Sequence, residues 1–152
     1  MKRYISLLCF VVPVLLSATT FAAKPAEKQP ETEKVENIIL MIGDGMGLAH
    51  VTALMIENEY RPIQMERAPV TGFVKTHSAN NRVTDSAAAG TAFATGRKTN
   101  NSRLGLDSAG HRLPTILEKA DARGMATGVV VPSGVVHATP GAFFGHTADR
   151  RK

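Results

Sequence analysis

Three stretches of this chain are apolar without alternation, and each ends at glycine, a small residue or a turn. The first is Ile5 to Leu16. The second is Ile38-Ile39-Leu40-Met41-Ile42, halted by Gly43-Asp44-Gly45-Met46-Gly47, and the third is Val129-Val130-Val131. Unbroken runs of this length read as strands covered on both faces, the kind found in parallel sheets. Strands are therefore predicted at 37–42 and 126–131, with another at 70–76. Leu48, Val51, Leu54 and Met55 recur at helical spacing and predict a helix over 48–57. From Ser86 the chain is rich in Ala and Thr as far as Thr95, where Gly96 can end a helix that Thr84 or Asp85 can cap. Pro114 is expected to open a further helix with Gly124 as its C-cap. Strands and helices in alternation imply an α/β fold built on a mostly parallel sheet with helices on both faces.

The first apolar run changes the picture at the front of the chain. It follows Lys2 and Arg3, is too short to span a bilayer, and leads into small residues, with cleavage expected after Ala22 or Ala23. Residues 1–22 are thus expected to be a secretory signal. Its Cys9 is the single cysteine, so the mature chain is expected to lack thiols and disulfides, and no lipid-anchor motif stands at the cleavage site. Residues 23–36 mix Lys, Glu, Pro and Thr and read as a flexible linker. The formal charge of +5 falls to +3 when Lys2 and Arg3 leave. That is too mild, and the aromatics too few, to argue for nucleic acid.

Three places carry candidate chemistry. Asp44 sits in a glycine turn at a strand end, where open parallel sheets bind ligands, and is either a turn former or a hard oxygen ligand for a metal. Ser86 begins the small-residue helix, where the positive end of the helix dipole favours an anion. It is either a cap-region residue or a phosphate-attacking hydroxyl. The third segment runs from His137 through Thr139-Pro140 to Arg150. Thr139 is predicted as an N-cap with proline at the first helical position, while His137 alone reads as a loop histidine and Arg150 as part of a solvated basic tail. Nucleotide-binding readings fit poorly. Gly43, Gly45 and Gly47 make G-x-G-x-G with an acid inside it, and Arg97 separates Gly96 from Lys98 where a P-loop needs them adjacent.

Taken together, Gly43-Asp44-Gly45-Met46-Gly47, Thr84-Asp85-Ser86-Ala87-Ala88-Ala89-Gly90 with Thr95-Gly96, and His137-Ala138-Thr139-Pro140 followed by Arg150 closely resemble the alkaline phosphatase family. Leu104-Gly105-Leu106-Asp107 and Pro114 to Glu118 are similar to its connecting hairpin and helix. The resemblance implies a phosphomonoesterase with two zinc ions and one magnesium ion, in which Ser86 bonds one zinc and becomes a phosphoserine. It implies that Asp44 bridges magnesium and the second zinc, that Thr139 ligates magnesium, and that His137 acts behind the magnesium ligands. Arg150 would clamp phosphate, oriented by Asp85.

The resemblance also implies an enzyme of the bacterial periplasm that acts on phosphomonoesters and can form a homodimer. Most zinc ligands are expected beyond Lys152, which makes 37–152 the amino-terminal part of a catalytic domain. Asp107 and His111 have a D-x-x-x-H spacing, yet Ser108-Ala109-Gly110 between them reads as a turn tip. Two other readings stand beside this one: another hydrolase of the wider metal-dependent phosphatase and sulfatase superfamily, and a truncated, non-catalytic product.

Overall fold

The computed structural model describes residues 35–152, so the expected signal segment and nearly all of the expected linker lie outside the described residues. The chain divides into two units, 1–40 and 41–152. In the first, the described residues 35–40 form neither helix nor strand.

In the second unit the core is made of small side chains. Helix α2, Ser86–Thr95, begins where Asp85 takes an extended conformation and its carboxylate accepts the Ala88 N–H at 2.9 Å. It ends at Gly96, whose φ of 74° is the left-handed geometry that glycine adopts without a Cβ penalty. Ala87, Ala88, Gly90, Thr91 and Ala94 are buried, and α4, Ala138–Gly141, lies directly on this face. A Cβ on Gly90 would meet the Ala142 Cβ at 2.9 Å and the Thr139 carbonyl oxygen at 3.4 Å. The missing side chain at Gly90 is therefore what allows the two helices to approach so closely. Ala87, Leu104, Ala138 and Ala142 form the buried apolar cluster.

Polar side chains tie the connecting hairpin to this core. The buried Thr91 hydroxyl donates to the Arg103 carbonyl at 3.2 Å and accepts the Gly105 N–H at 3.0 Å. Isolated antiparallel bridges join Leu104 to Thr147 and Leu106 to Arg112. At the hairpin tip, Asp107 accepts the N–H groups of Ala109 and His111 at 2.8 and 2.9 Å and contacts the His111 ring at 3.1 Å. The D-x-x-x-H spacing is thus a turn closed on itself.

Helix α3, Ile116–Asp121, starts two residues later than Pro114 suggested, because Thr115 and Glu118 form a reciprocal capping box. Glu118 accepts the Thr115 N–H at 2.9 Å, and the Thr115 hydroxyl accepts the Glu118 N–H at 3.1 Å. The C-cap is Ala122 rather than Gly124, which lies two residues further on and shapes the turn that follows. Met125 N–H bonds the Ala120 carbonyl and Gly124 N–H that of Asp121, a Schellman arrangement around a φ of 74°.

The Thr115 N–H, then the His146 ring at 2.9 Å and the Arg112 guanidinium, hold the Glu118 carboxyl down at about 2 from an ordinary 4.5. Folding lowers this pKa, so the stability it contributes is complete above pH 4.5 and is lost as pH falls toward about 2. Glu118→Gln, which keeps an acceptor for Thr115, is expected to flatten the acid limb across that window when unfolding midpoints are measured against pH. An unaltered slope would count against the assignment.

Helix α1, Leu48–Glu57, has the bounds that its apolar stripe predicts, but Leu48 and Leu54 remain exposed. It runs into Glu59 and Tyr60, both at positive φ. The expected strands differ more. Among the described residues no strand forms at 37–42, 70–76 or 126–131, and Ile39, Phe73 and Val130 are 86, 101 and 99% exposed. A strand exists only through a partner's ladder, and these segments have none among the described residues.

Candidate active site

A cleft of about 800 Å³ runs along α2 from Ser86 to Gly96. Asp44, Asp85, Ser86, Thr139 and Arg150 all line it, together with Phe93 and Lys98. The Asp44 carboxylate joins two of its hydroxyls. One oxygen accepts the Ser86 hydroxyl at 3.2 Å, and the other accepts the Thr139 hydroxyl at 2.5 Å.

Each group is there for a local reason. Asp44 stands in the turn closed by Met46 N–H on the Gly43 carbonyl, with Gly45 at φ 71°. Ser86 opens α2 beside its dipole's positive end, half-buried but reachable. Thr139 was predicted to cap α4, and this needs correction. His137 is the N-cap, with no side-chain cap bond, and Thr139 lies inside the first turn. The hydroxyl of Thr139 is thereby free to reach Asp44, and the close α2–α4 contact at Gly90 brings it there. His137 itself is exposed and is not among the cleft-lining residues.

Arg150 faces Asp85 at 3.9 Å, a loose ion pair, while the Asp85 oxygens are already engaged by Ala88 N–H at 2.9 Å and Ser102 N–H at 2.8 Å. Asp85 is therefore cap and arginine partner at once. The guanidinium retains donors that can fork onto two oxygens of a planar or tetrahedral anion. Lys98, at the same cleft, donates to the carbonyls of Lys75, at 2.6 Å, and His77.

Residues 101 and 102 were not singled out from the sequence, yet they support this arrangement. The Asn101 side chain accepts the Asp85 N–H at 3.2 Å and donates to the Val83 carbonyl at 3.0 Å. Ser102, at φ 72°, gives its N–H to Asp85 and its carbonyl to the Arg150 N–H at 2.8 Å. The available signal was the polar cluster Thr99-Asn100-Asn101-Ser102, which marks a turn and says nothing of what it holds.

The alkaline phosphatase family model matches residues 35–152. The chain belongs to the alkaline phosphatase family. Among curated relatives, alkaline phosphatase 4 of Bacillus subtilis (strain 168) is 37% identical over 137 residues, covering 84% of this chain and 30% of that protein. The streptomycin-6-phosphate phosphatase of Streptomyces griseus is 38% identical over 145 residues, covering 90% of this chain and 32% of that protein. Among solved structures, the cold-active alkaline phosphatase of a psychrophilic Shewanella superposes with a TM-score of 0.69 at 39% identity, over 73% of this chain and 30% of that one. A histidine-to-glutamate mutant of TAB5 alkaline phosphatase, with Mg bound in its M3 site, superposes with a TM-score of 0.67 at 32% identity, over 71% of this chain and 31% of that one. The fold is therefore alkaline-phosphatase-like, and the chain spans about three tenths of the length of these family members.

The converging donors of the cleft are all oxygens: one carboxylate and two hydroxyls. That set suits magnesium in kind. Among the described residues no group of three His, Cys, Asp or Glu side chains could hold a metal; His77 lines the cleft with its ring bonded to the Ser78 carbonyl, and His50, His111 and His146 are not among the lining residues.

Proposed function

We propose that this chain supplies the nucleophile half of a phosphomonoesterase site, within a longer catalytic domain. The observation that carries this reading is the Asp44 carboxylate bonded at once to the hydroxyls of Ser86 and Thr139, with Arg150 in the same cleft. Ser86 Oγ attacks phosphorus, the Oγ–P bond forms as the ester P–O bond breaks, and the alcohol departs with a proton. Water then cleaves the phosphoserine and releases phosphate. Arg150 holds two nonbridging oxygens, and Asp85 keeps it turned toward the cleft.

Asp44 and Thr139 would hold magnesium, and Asp44 and Ser86 would each contribute an oxygen to zinc. Two zinc ions with one magnesium ion is the proposed complement, most zinc ligands lying beyond residue 152. When bound, such cations acidify hydroxyls and neutralise charge on the transferring phosphoryl group. His137, at the entry to α4 and two residues before Thr139, is assigned to the surroundings of the magnesium site. The exposed apolar segments 37–42, 70–76 and 126–131 are assigned to a mostly parallel sheet that the remaining part of the domain completes. Residues 1–22 are assigned to export to the periplasm and 23–36 to a linker, and the full-length enzyme is assigned as a homodimer. Among the described residues no helix is long and apolar enough to cross a membrane.

The test extends the chain by its native downstream sequence and compares p-nitrophenyl phosphate with a phosphodiester and a sulfate ester, while zinc and magnesium are titrated. Monoester turnover is expected to exceed the other two by at least about 100-fold. A preference for sulfate or diester would assign the chain to another branch of the metal-dependent hydrolases. The magnesium titration repeated on His137→Asp is expected to shift, and an identical curve would remove His137 from the magnesium site.

A further inference from the structure

We infer that Asn101 is a positioning residue for the phosphate-binding pair, a role that rests on the phosphomonoesterase reading. Its one side chain grips the backbone on both sides of Thr84. The amide oxygen takes the Asp85 N–H at 3.2 Å and the amide nitrogen gives to the Val83 carbonyl at 3.0 Å. Asp85 and Ser86 follow immediately, so this grip sets where the nucleophile's helix begins.

Ser102, the adjacent residue, carries the same device to the other side of the cleft. Its N–H fixes an Asp85 oxygen at 2.8 Å, and its carbonyl fixes the Arg150 backbone at 2.8 Å. Both bonds require the backbone of residue 102 to point its N–H and carbonyl in these directions, at a φ of 72° that a serine adopts only under constraint. Asn101 supplies constraint on one side, with its own N–H held by the Asn80 side chain at 3.0 Å. The loop thus measures the distance between Asp85 and Arg150, although neither Asn101 nor Ser102 lines the cleft.

A residue that acts by spacing two groups should alter phosphate recognition more than it alters folding. In the extended protein, Asn101→Ala is expected to lower kcat for p-nitrophenyl phosphate about 10- to 100-fold and to weaken inorganic phosphate binding about 5-fold or more, by the loss of oriented hydrogen bonds. The thermal midpoint is expected to stay within about 3 °C, the shift that a net loss of about 1 kcal/mol produces in a large domain. Asn101→Asp keeps an acceptor for the Asp85 N–H but sets a carboxylate oxygen against the Val83 carbonyl, and should lose at least as much as alanine on both readouts.

Unchanged kcat and phosphate affinity in both Asn101 variants would overturn the inference. So would losses that merely track a falling midpoint. Wild-type protein that binds phosphate but does not turn over the ester would defeat the phosphomonoesterase reading, while the affinity comparison still decides the role of Asn101. Wild-type protein that binds no phosphate would overturn both.

Discussion

Ser86→Ala in the extended protein is expected to reduce p-nitrophenyl phosphate turnover by at least about 1,000-fold, because covalent catalysis loses its attacking atom. The substitution should barely disturb folding. Ser86 is the first residue of α2, the cap bond belongs to Asp85, and the hydroxyl's one bond runs to an exposed pair with Asp44. Affinity for inorganic phosphate should survive better than turnover, since Arg150 and the helix terminus remain. Trapping the intermediate at low pH and mapping phosphorylated peptides by mass spectrometry locates the acceptor. Undiminished turnover, or label on another side chain, would defeat the mechanism.

Gly90→Val is expected to destabilise the fold by about 3 kcal/mol and to abolish activity by parting α2 from α4. Two effects compete. A glycine inside a helix costs roughly 0.5–1 kcal/mol against alanine, so any side chain recovers part of that. The opposing overlap is larger: a Cβ at 2.9 Å from the Ala142 Cβ, with the Thr139 backbone at 3.4–3.5 Å, leaves two packed helices no room to yield. The helix that would be displaced carries Thr139, so its hydroxyl would leave Asp44. The paired change Gly90→Ala with Ala142→Gly moves the methyl across the contact and should restore both the unfolding midpoint and magnesium dependence to near wild type. Gly96 offers the contrast, because nothing lies within 4 Å of its missing Cβ and only its φ of 74° resists replacement.

Helices α1 and α2 were legible in the sequence, the first from its apolar spacing and the second from the small residues that end at Gly96, while the choice of Asp85 over Thr84 as cap came from the structure. Helix α3 starts at Ile116 rather than Pro114 because the reciprocal bonds of Thr115 and Glu118 are a stronger start signal than proline. Thr139 illustrates a different failure. Threonine before proline is a cap pattern, but this hydroxyl gains a short bond to a carboxylate and the capping position passes to His137. The apolar runs at 37–42 and 126–131 have the composition of covered strands, and pattern alone cannot reveal where the covering elements come from. Asp44, Ser86 and Arg150 are candidates that the family resemblance supplies. Their meeting in one cleft depends on contacts across long stretches of chain, and the supporting Asn101 lies in a polar turn that resembles many others.

The Asp44 carboxylate joins Ser86 across 42 residues and Thr139 across 95. Closing loops of that size is entropically slow, and no local segment can make either contact early. During synthesis the serine therefore emerges long before the threonine and arginine that complete its surroundings. A ribosome-bound or unfolded chain carries an ordinary hydroxyl there, and the surroundings proposed to activate it exist only after these distant segments have met.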